Sequence, residues 1–211
     1  MKKLLSLSLL ILLTSCGQDI DSSINSNLTT PSSSIVEREP NYVQTLNASG
    51  VQVADVKNIY RFGKVNKFLY RGGLPTETDL QALKDFKVKT VVSFRGLGDD
   101  QEKFQIAEEK KQVEKLGMKF LNVQIPFDKE VPEKTIKSFF TAVNNVKNQP
   151  LFVHCKGGRD RTGTMVALYQ MKYAGYSAEK AIEEMKEYTF NPADYPIFTN
   201  QIMNFKSTDI K

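Results

Sequence analysis

The sequence predicts an α/β fold, a central, mostly parallel sheet with helices on both faces. Three observations predict it. Apolar runs rich in β-branched residues, such as Thr90-Val91-Val92-Ser93-Phe94 and Leu151-Phe152-Val153, have the length and composition of fully buried strands. Between them lie charged stretches whose apolar residues recur at helical spacing. Strands that alternate with such helices pair in parallel, and ligands then gather outside the carboxyl ends of the strands. A length of 211 residues suffices for one such domain plus an extra segment, and no internal repeat is visible.

Along the chain, Met1-Lys2-Lys3 is a short basic start and Leu4 to Leu13 an apolar run, too short to span a bilayer. The run ends in Leu13-Thr14-Ser15-Cys16-Gly17, which resembles the lipobox of bacterial lipoproteins. That resemblance implies a lipoprotein signal peptide over residues 1–15 and lipidation of Cys16. The mature protein would be exported and lipid-anchored to a bacterial membrane. Gly17 after the cysteine favours the periplasmic face of the outer membrane if the organism is Gram-negative. Residues 16–41 are rich in Ser, Asn and Thr, cannot bury enough surface to order themselves, and read as a flexible tether. The composition becomes domain-like over residues 42–211.

Within the domain, Val51 and Val53, with Val56 beyond them, suggest an early strand, followed by Ile59-Tyr60-Arg61-Phe62. Phe68 to Arg71 reads as a short strand running into the Gly72-Gly73 turn. Thr76 with Asp79 forms a capping box, so a helix starts at Glu77 and buries Leu80, Leu83 and Phe86. The strand at 90–94 ends at Arg95-Gly96, and residues 101–116 form a surface helix. Met118 to Ile125 is a strand, Pro126 to Pro132 a loop, and Glu133 to about Lys147 a helix built on Ile136, Phe139, Phe140, Val143 and Val146. After the central strand at 151–154 come helices over 161–174, after Ser177, and over 195–205.

Composition excludes several classes. The formal charge of +5, two units of it from Lys2 and Lys3, is too mild and dispersed for a nucleic-acid surface. Two cysteines exclude a disulfide framework, and one histidine without clustered cysteines leaves no convincing metal site. No motif calls for a cofactor, and nothing sets the oligomeric state.

The chemistry concentrates in residues 150–163. An apolar strand ends at Cys155, a glycine-bearing loop follows, and a helix-like stretch opens near Thr162. A tight loop between a strand and a helix aims backbone N–H groups and the positive helix end at one point, which makes an anion site. A cysteine there has its thiolate stabilised. Arg161, at the first turn, brings a planar fork suited to phosphate oxygens. Nucleophile and phosphate clamp thus coincide.

His154-Cys155, five intervening residues and Arg161-Thr162-Gly163 resemble the signature of the cysteine-based protein tyrosine phosphatase superfamily. Leu69 to Pro75 and Lys89 to Arg95 are similar to its compact dual-specificity branch, which includes members acting on inositol phosphates. The resemblance covers about residues 50–190 and makes 42–211 a phosphatase domain with a dual-specificity-phosphatase-like fold. It implies that Cys155 attacks phosphorus and forms a cysteinyl-phosphate. Arg161 binds nonbridging oxygens, with Lys156, Gly157, Gly158, Arg159 and Asp160 completing the phosphate-binding loop. Gly157 and Gly158 permit close approach and unusual dihedrals, Thr162 assists departure of sulfur, and His154 orders the loop.

A leaving oxygen needs a proton. Asp128, in the loop after a strand and before a helix, is the first candidate for general acid; Asp160 is its rival and Glu130 a third. Lys156 and Arg159 favour substrates with several phosphates, and Arg71 and Arg95 could extend that basic rim or be structural. Export favours phosphate esters over phosphoproteins, so an inositol polyphosphate (a phytase-like activity) ranks first. A phosphotyrosine or dual-specificity protein substrate ranks second, lipid headgroups third. A catalytically silent phosphate-binding module and a sulfurtransferase are the rival classes.

Overall fold

Leu151–His154 (β5) is the middle strand, and both of its neighbours run parallel to it. In the computed structural model, which describes residues 55–96, 100–208 and 210, the elements before it are β1 (Gly63–Asn66), β2 (Leu69–Gly72), α1 (Glu77–Asp85), β3 (Thr90–Ser93), α2 (Asp100–Lys115), β4 (Lys119–Asn122) and α3 (Glu133–Asn144). After it come α4 (Asp160–Tyr173), α5 (Ala178–Glu187) and α6 (Pro196–Asn204). The sheet order is β1-β2-β5-β3-β4, parallel except for the hairpin partner β1. The leader, Cys16, the tether, Val51 and Val53 lie outside the described residues.

Strand alternation divides the core in two. Leu69, Val92, Leu151 and Val153 point to a layer holding α3, α4, α5 and α6, whereas Tyr70, Val91 and Phe152 point to one holding α1 and α2. Burying each such side chain contributes about 1.5–3 kcal/mol. Phe152, sandwiched between sheet and helices, is wholly inaccessible. The expectation of helices on both faces of a mostly parallel sheet therefore holds.

Local chemistry explains the boundaries. Thr76 Oγ1 accepts from the Asp79 N–H and Asp79 accepts from the Thr76 N–H, so α1 begins with the expected capping box. Ser177 caps α5 through the Lys180 N–H. Three readings are corrected. Val56 opens a 3-10 turn, Val56–Asn58, rather than ending a strand. Residues 59–62 form a turn, closed by the Phe62 N–H on the Ile59 carbonyl at 3.0 Å, because Arg61 adopts a left-handed φ of 54°. The edge strand β1, with no alternating pattern of its own, is held by pairing with β2. Helix α3 is also shorter than expected and ends at Asn144, followed by a second 3-10 turn, Val146–Asn148.

Candidate active site

Residues 155–159 leave β5 at the carboxyl edge of the sheet and enter α4 at Asp160, one residue earlier than expected. Each carbonyl from Cys155 to Gly158 has a partner behind the loop. His154 Nδ1 lies 3.0 Å from the Cys155 oxygen, and the Leu74 N–H donates to Lys156 at 3.0 Å. Arg61 Nη1 donates to Gly157 at 2.9 Å and Arg71 Nη2 to Gly158 at 2.8 Å. In a planar trans peptide the carbonyl and the next N–H point in opposite directions. The N–H groups of Lys156, Gly157, Gly158 and Arg159 therefore turn to the other side, and among the described residues none has a protein acceptor. They form a concave donor nest at the start of a helix that no side chain caps.

Gly158 makes the packing possible. Its φ is 68°, and a Cβ there would meet the backbone of Gly72 and Gly73 at 2.5 Å. Gly157 differs: its φ is ordinary, and a Cβ would meet only Arg61 Nη1, at 3.8 Å. Gly157 therefore tolerates a side chain, contrary to the equal role its sequence position suggests, and only Gly158 requires the absence of one. Gly158→Ala is expected to lower kcat at least about 100-fold, because holding the loop 1 Å out of place costs that much. Gly157→Ala should cost less than about threefold. Parallel kinetics on the two variants check this.

Cys155, the residue directly before the four donors, is buried and forms no disulfide. Arg161 is half-buried one residue into α4, and among the described residues its guanidinium makes neither hydrogen bond nor ion pair. Arg159 is committed elsewhere, with Nε on Asp160 at 2.8 Å and Nη2 on the Tyr195 hydroxyl at 2.7 Å. The bond to Asp160 raises the Arg159 pKa above its usual value. Asp160 is tied up by the same ion pair. Thr162 is buried, and its hydroxyl makes no hydrogen bond among the described residues. Lys156 is exposed.

Asp128 and Glu130 stand exposed on the connection from β4 to α3, and no hydrogen bond or ion pair joins Asp128 to the nest. The topology still places the connection nearby. Strands β5 and β4 are separated only by β3, so their parallel carboxyl ends lie about 10 Å apart. Gln201 of α6 pins the far end of this connection, accepting from the Val131 N–H at 2.9 Å and donating to the Val131 carbonyl at 2.8 Å.

The rim reading of Arg71 and Arg95 is corrected by burial, since each is at most 2% exposed. Arg71 sits behind the nest. Arg95 Nη2 donates to Gln105 at 2.7 Å, and its Nη1 lies 3.7 Å from Glu109 Oε2. The other Glu109 oxygen is 2.6 Å from His154 Nε2, so a buried chain of charge runs from α2 to the residue that holds the Cys155 carbonyl. Sequence reasoning missed Glu109 and Gln201. Glu109 did leave a signal, lying between Ile106 and Val113 on the inward stripe of α2, where an unaccompanied carboxylate is costly.

Comparison with known proteins agrees with this architecture. The dual specificity protein phosphatase TpbA of Pseudomonas aeruginosa is 28% identical over 138 residues, covering 65% of this chain and 57% of TpbA. The inositol diphosphatase DSP2 of Oryza sativa subsp. japonica is 28% identical over 109 residues, half of each chain. The chain thus spans little more than half the length of these relatives. In fold, the chain is similar to the core catalytic domain of the PP-IP phosphatase SIW14 of S. cerevisiae, with a TM-score of 0.59 at 20% identity, covering 71% of this chain and 87% of that one. Residues 40–200 match the model of the family described as DSP-PTPase phosphatase fused to NAD+ kinase, and the chain belongs to that family.

Proposed function

We propose that the chain hydrolyses phosphate monoesters through a cysteinyl-phosphate intermediate, with inositol polyphosphates as its first substrate class. The nest of four inward N–H groups around Cys155, beside the unpartnered guanidinium of Arg161, carries this reading. A phosphate bound there would place three oxygens on backbone donors and the Arg161 fork. The Cys155 sulfur attacks phosphorus, the S–P bond forms as the bond to the ester oxygen breaks, and the departing oxygen takes a proton from Asp128. Water then attacks the phosphocysteine and gives a proton back to Asp128, the S–P bond breaks, and inorganic phosphate and the thiolate are released, with the Thr162 hydroxyl, which no protein group engages among the described residues, assisting the sulfur.

The assignment of Asp128 over Asp160 rests on their surroundings. Asp160 is held by Arg159, whereas Asp128 is exposed on a connection reaching the same edge of the sheet. Asp128→Asn should lower kcat about 100-fold and abolish the basic limb of the pH–rate profile. Asp160→Asn should retain that limb. The reverse pattern transfers the role.

For the substrate, exposed Lys156 on the loop and the relative named as an inositol diphosphatase support a multiply phosphorylated small molecule. The relative named as a dual specificity protein phosphatase supports the second reading, a phosphotyrosine or dual-specificity substrate. Values of kcat/KM on inositol hexakisphosphate and on a phosphotyrosine peptide decide between them, and a preference for the peptide overturns the ranking. The leader and Cys16 support an exported, lipid-anchored form. Labelling with a palmitate analogue tests it, and an unlabelled mature protein excludes it.

A further inference from the structure

Arg71 is a buried cation that no carboxylate contacts among the described residues. Its side chain is 1% exposed and is flanked by β2, α5 and the nest. Among the described residues its guanidinium makes one hydrogen bond, from Nη2 to the Gly158 carbonyl at 2.8 Å. Its guanidinium carbon lies 3.8 Å from the centre of the Tyr188 ring. Nε has no hydrogen-bond partner, and among the described residues no carboxylate stands within ion-pair distance. Tyr188 and, from beyond ion-pair distance, Glu184 of α5 attract it, while both Glu184 oxygens accept from Gln170 Nε2, at 2.8 and 2.7 Å. Taking a guanidinium out of water costs several kcal/mol, more than one carbonyl and one ring face offset. Burial accordingly lowers the Arg71 pKa, yet an arginine stays charged.

A second cation converges on the same place. Arg61, whose left-handed backbone turns it toward the loop, donates to the Gly157 carbonyl and adds its repulsion to the Arg71 environment. Cys155 acts on Arg71 in the opposite, favourable sense. The two guanidinium groups behind one loop repel each other, and an anion in front of the loop attracts both.

We infer that Arg71 is a positioning residue whose buried charge, held against the Gly158 carbonyl, is set against the anion held in the nest, the phosphoryl group of the substrate. It acts through the loop and touches no substrate atom. Its charge adds a positive field at the cradle, and its bond to the Gly158 carbonyl polarises that peptide so that the Arg159 N–H becomes a stronger donor. The inference rests on the phosphatase reading of the loop.

The test compares alkylation of Cys155 by iodoacetate and by iodoacetamide, followed on the full chain by mass spectrometry of the Cys155 peptide. Both reagents need the thiolate, so the ratio of their rates cancels its population and reports the field felt by an anion. Arg71→Met should lower the ratio about fivefold or more, and Arg71→Lys, which keeps the charge, should stay within about twofold of the parent. An unchanged ratio in Arg71→Met, or an equal fall in Arg71→Lys, overturns the inference. Should Arg71→Met fail to fold, Arg71→Lys decides. It should raise the inhibition constant for inorganic phosphate less than about threefold while losing the planar bond to Gly158 and about tenfold in kcat. A large loss of phosphate affinity in this variant counts against a role for charge. Alkylation requires no turnover, so a parent chain that hydrolyses no phosphate ester would refute the phosphatase reading and still leave the field measurable.

Discussion

Cys155→Ser is expected to lower kcat by at least about 10⁴-fold on any phosphate ester the chain accepts. Serine keeps the shape of the side chain but offers a hydroxyl, a weaker nucleophile than a thiol, and among the described residues no histidine stands ready to activate it. The only described histidine, His154, already has Nδ1 on the Cys155 carbonyl and Nε2 against Glu109. The nest itself should survive. Its shape is fixed by Leu74, Arg61, Arg71 and His154 acting on loop carbonyls, and none of those bonds involves sulfur. Inorganic phosphate should therefore bind the serine variant within about threefold of the parent, as titration calorimetry would show. Residual turnover above one part in a hundred would mean that another nucleophile does the chemistry.

Arg161→Ala should cost about 10³–10⁴ in kcat, the range for a guanidinium that stabilises a transferring phosphoryl group. Arg161→Lys should recover little of it, because a point charge cannot bind two equatorial oxygens side by side. The structure adds a second expectation. Since the Arg161 guanidinium has no protein partner among the described residues and is half exposed, its loss should change stability by no more than about 0.5 kcal/mol. A thermal melt beside the kinetics separates the two effects. A large drop in Tm would reveal a structural arginine and withdraw the assignment.

These two residues were legible in the sequence because their positions are set locally. A strand, a glycine-bearing loop and a helix start follow one another in the chain, and the capping residues Thr76 and Ser177 announce their helices in the same local way. What was not legible depends on which strands become neighbours. Arg71 reads as a strand-end arginine, free to face solvent, until β2 pairs with β5 and carries it beneath the loop. Glu109 lies on the inward stripe of α2, but its partner is not legible until that helix packs over the sheet and meets His154. Gln201 carries no sequence signal, since a glutamine on a terminal helix gives no hint of the distant backbone it holds. β1 was missed for another reason. Its residues are unremarkable as a strand, and pairing with β2 after the left-handed turn at Arg61 supplies what they lack.

The pairing of residues 69–72 with 151–154 also has a consequence in time. Contacts between distant parts of a chain form slowly, because loop entropy must be lost before they reward it. Helices α4 and α5 can gather from neighbouring sequence, but the nest is incomplete until β2 arrives with Arg71 and the Gly72-Gly73 turn on which Gly158 rests. A chain collapsing from denaturant should regain its helical signal before it regains its grip on phosphate. Competence is then the last thing such a molecule acquires, and a partly folded copy carries its cysteine without the cradle that gives it a purpose.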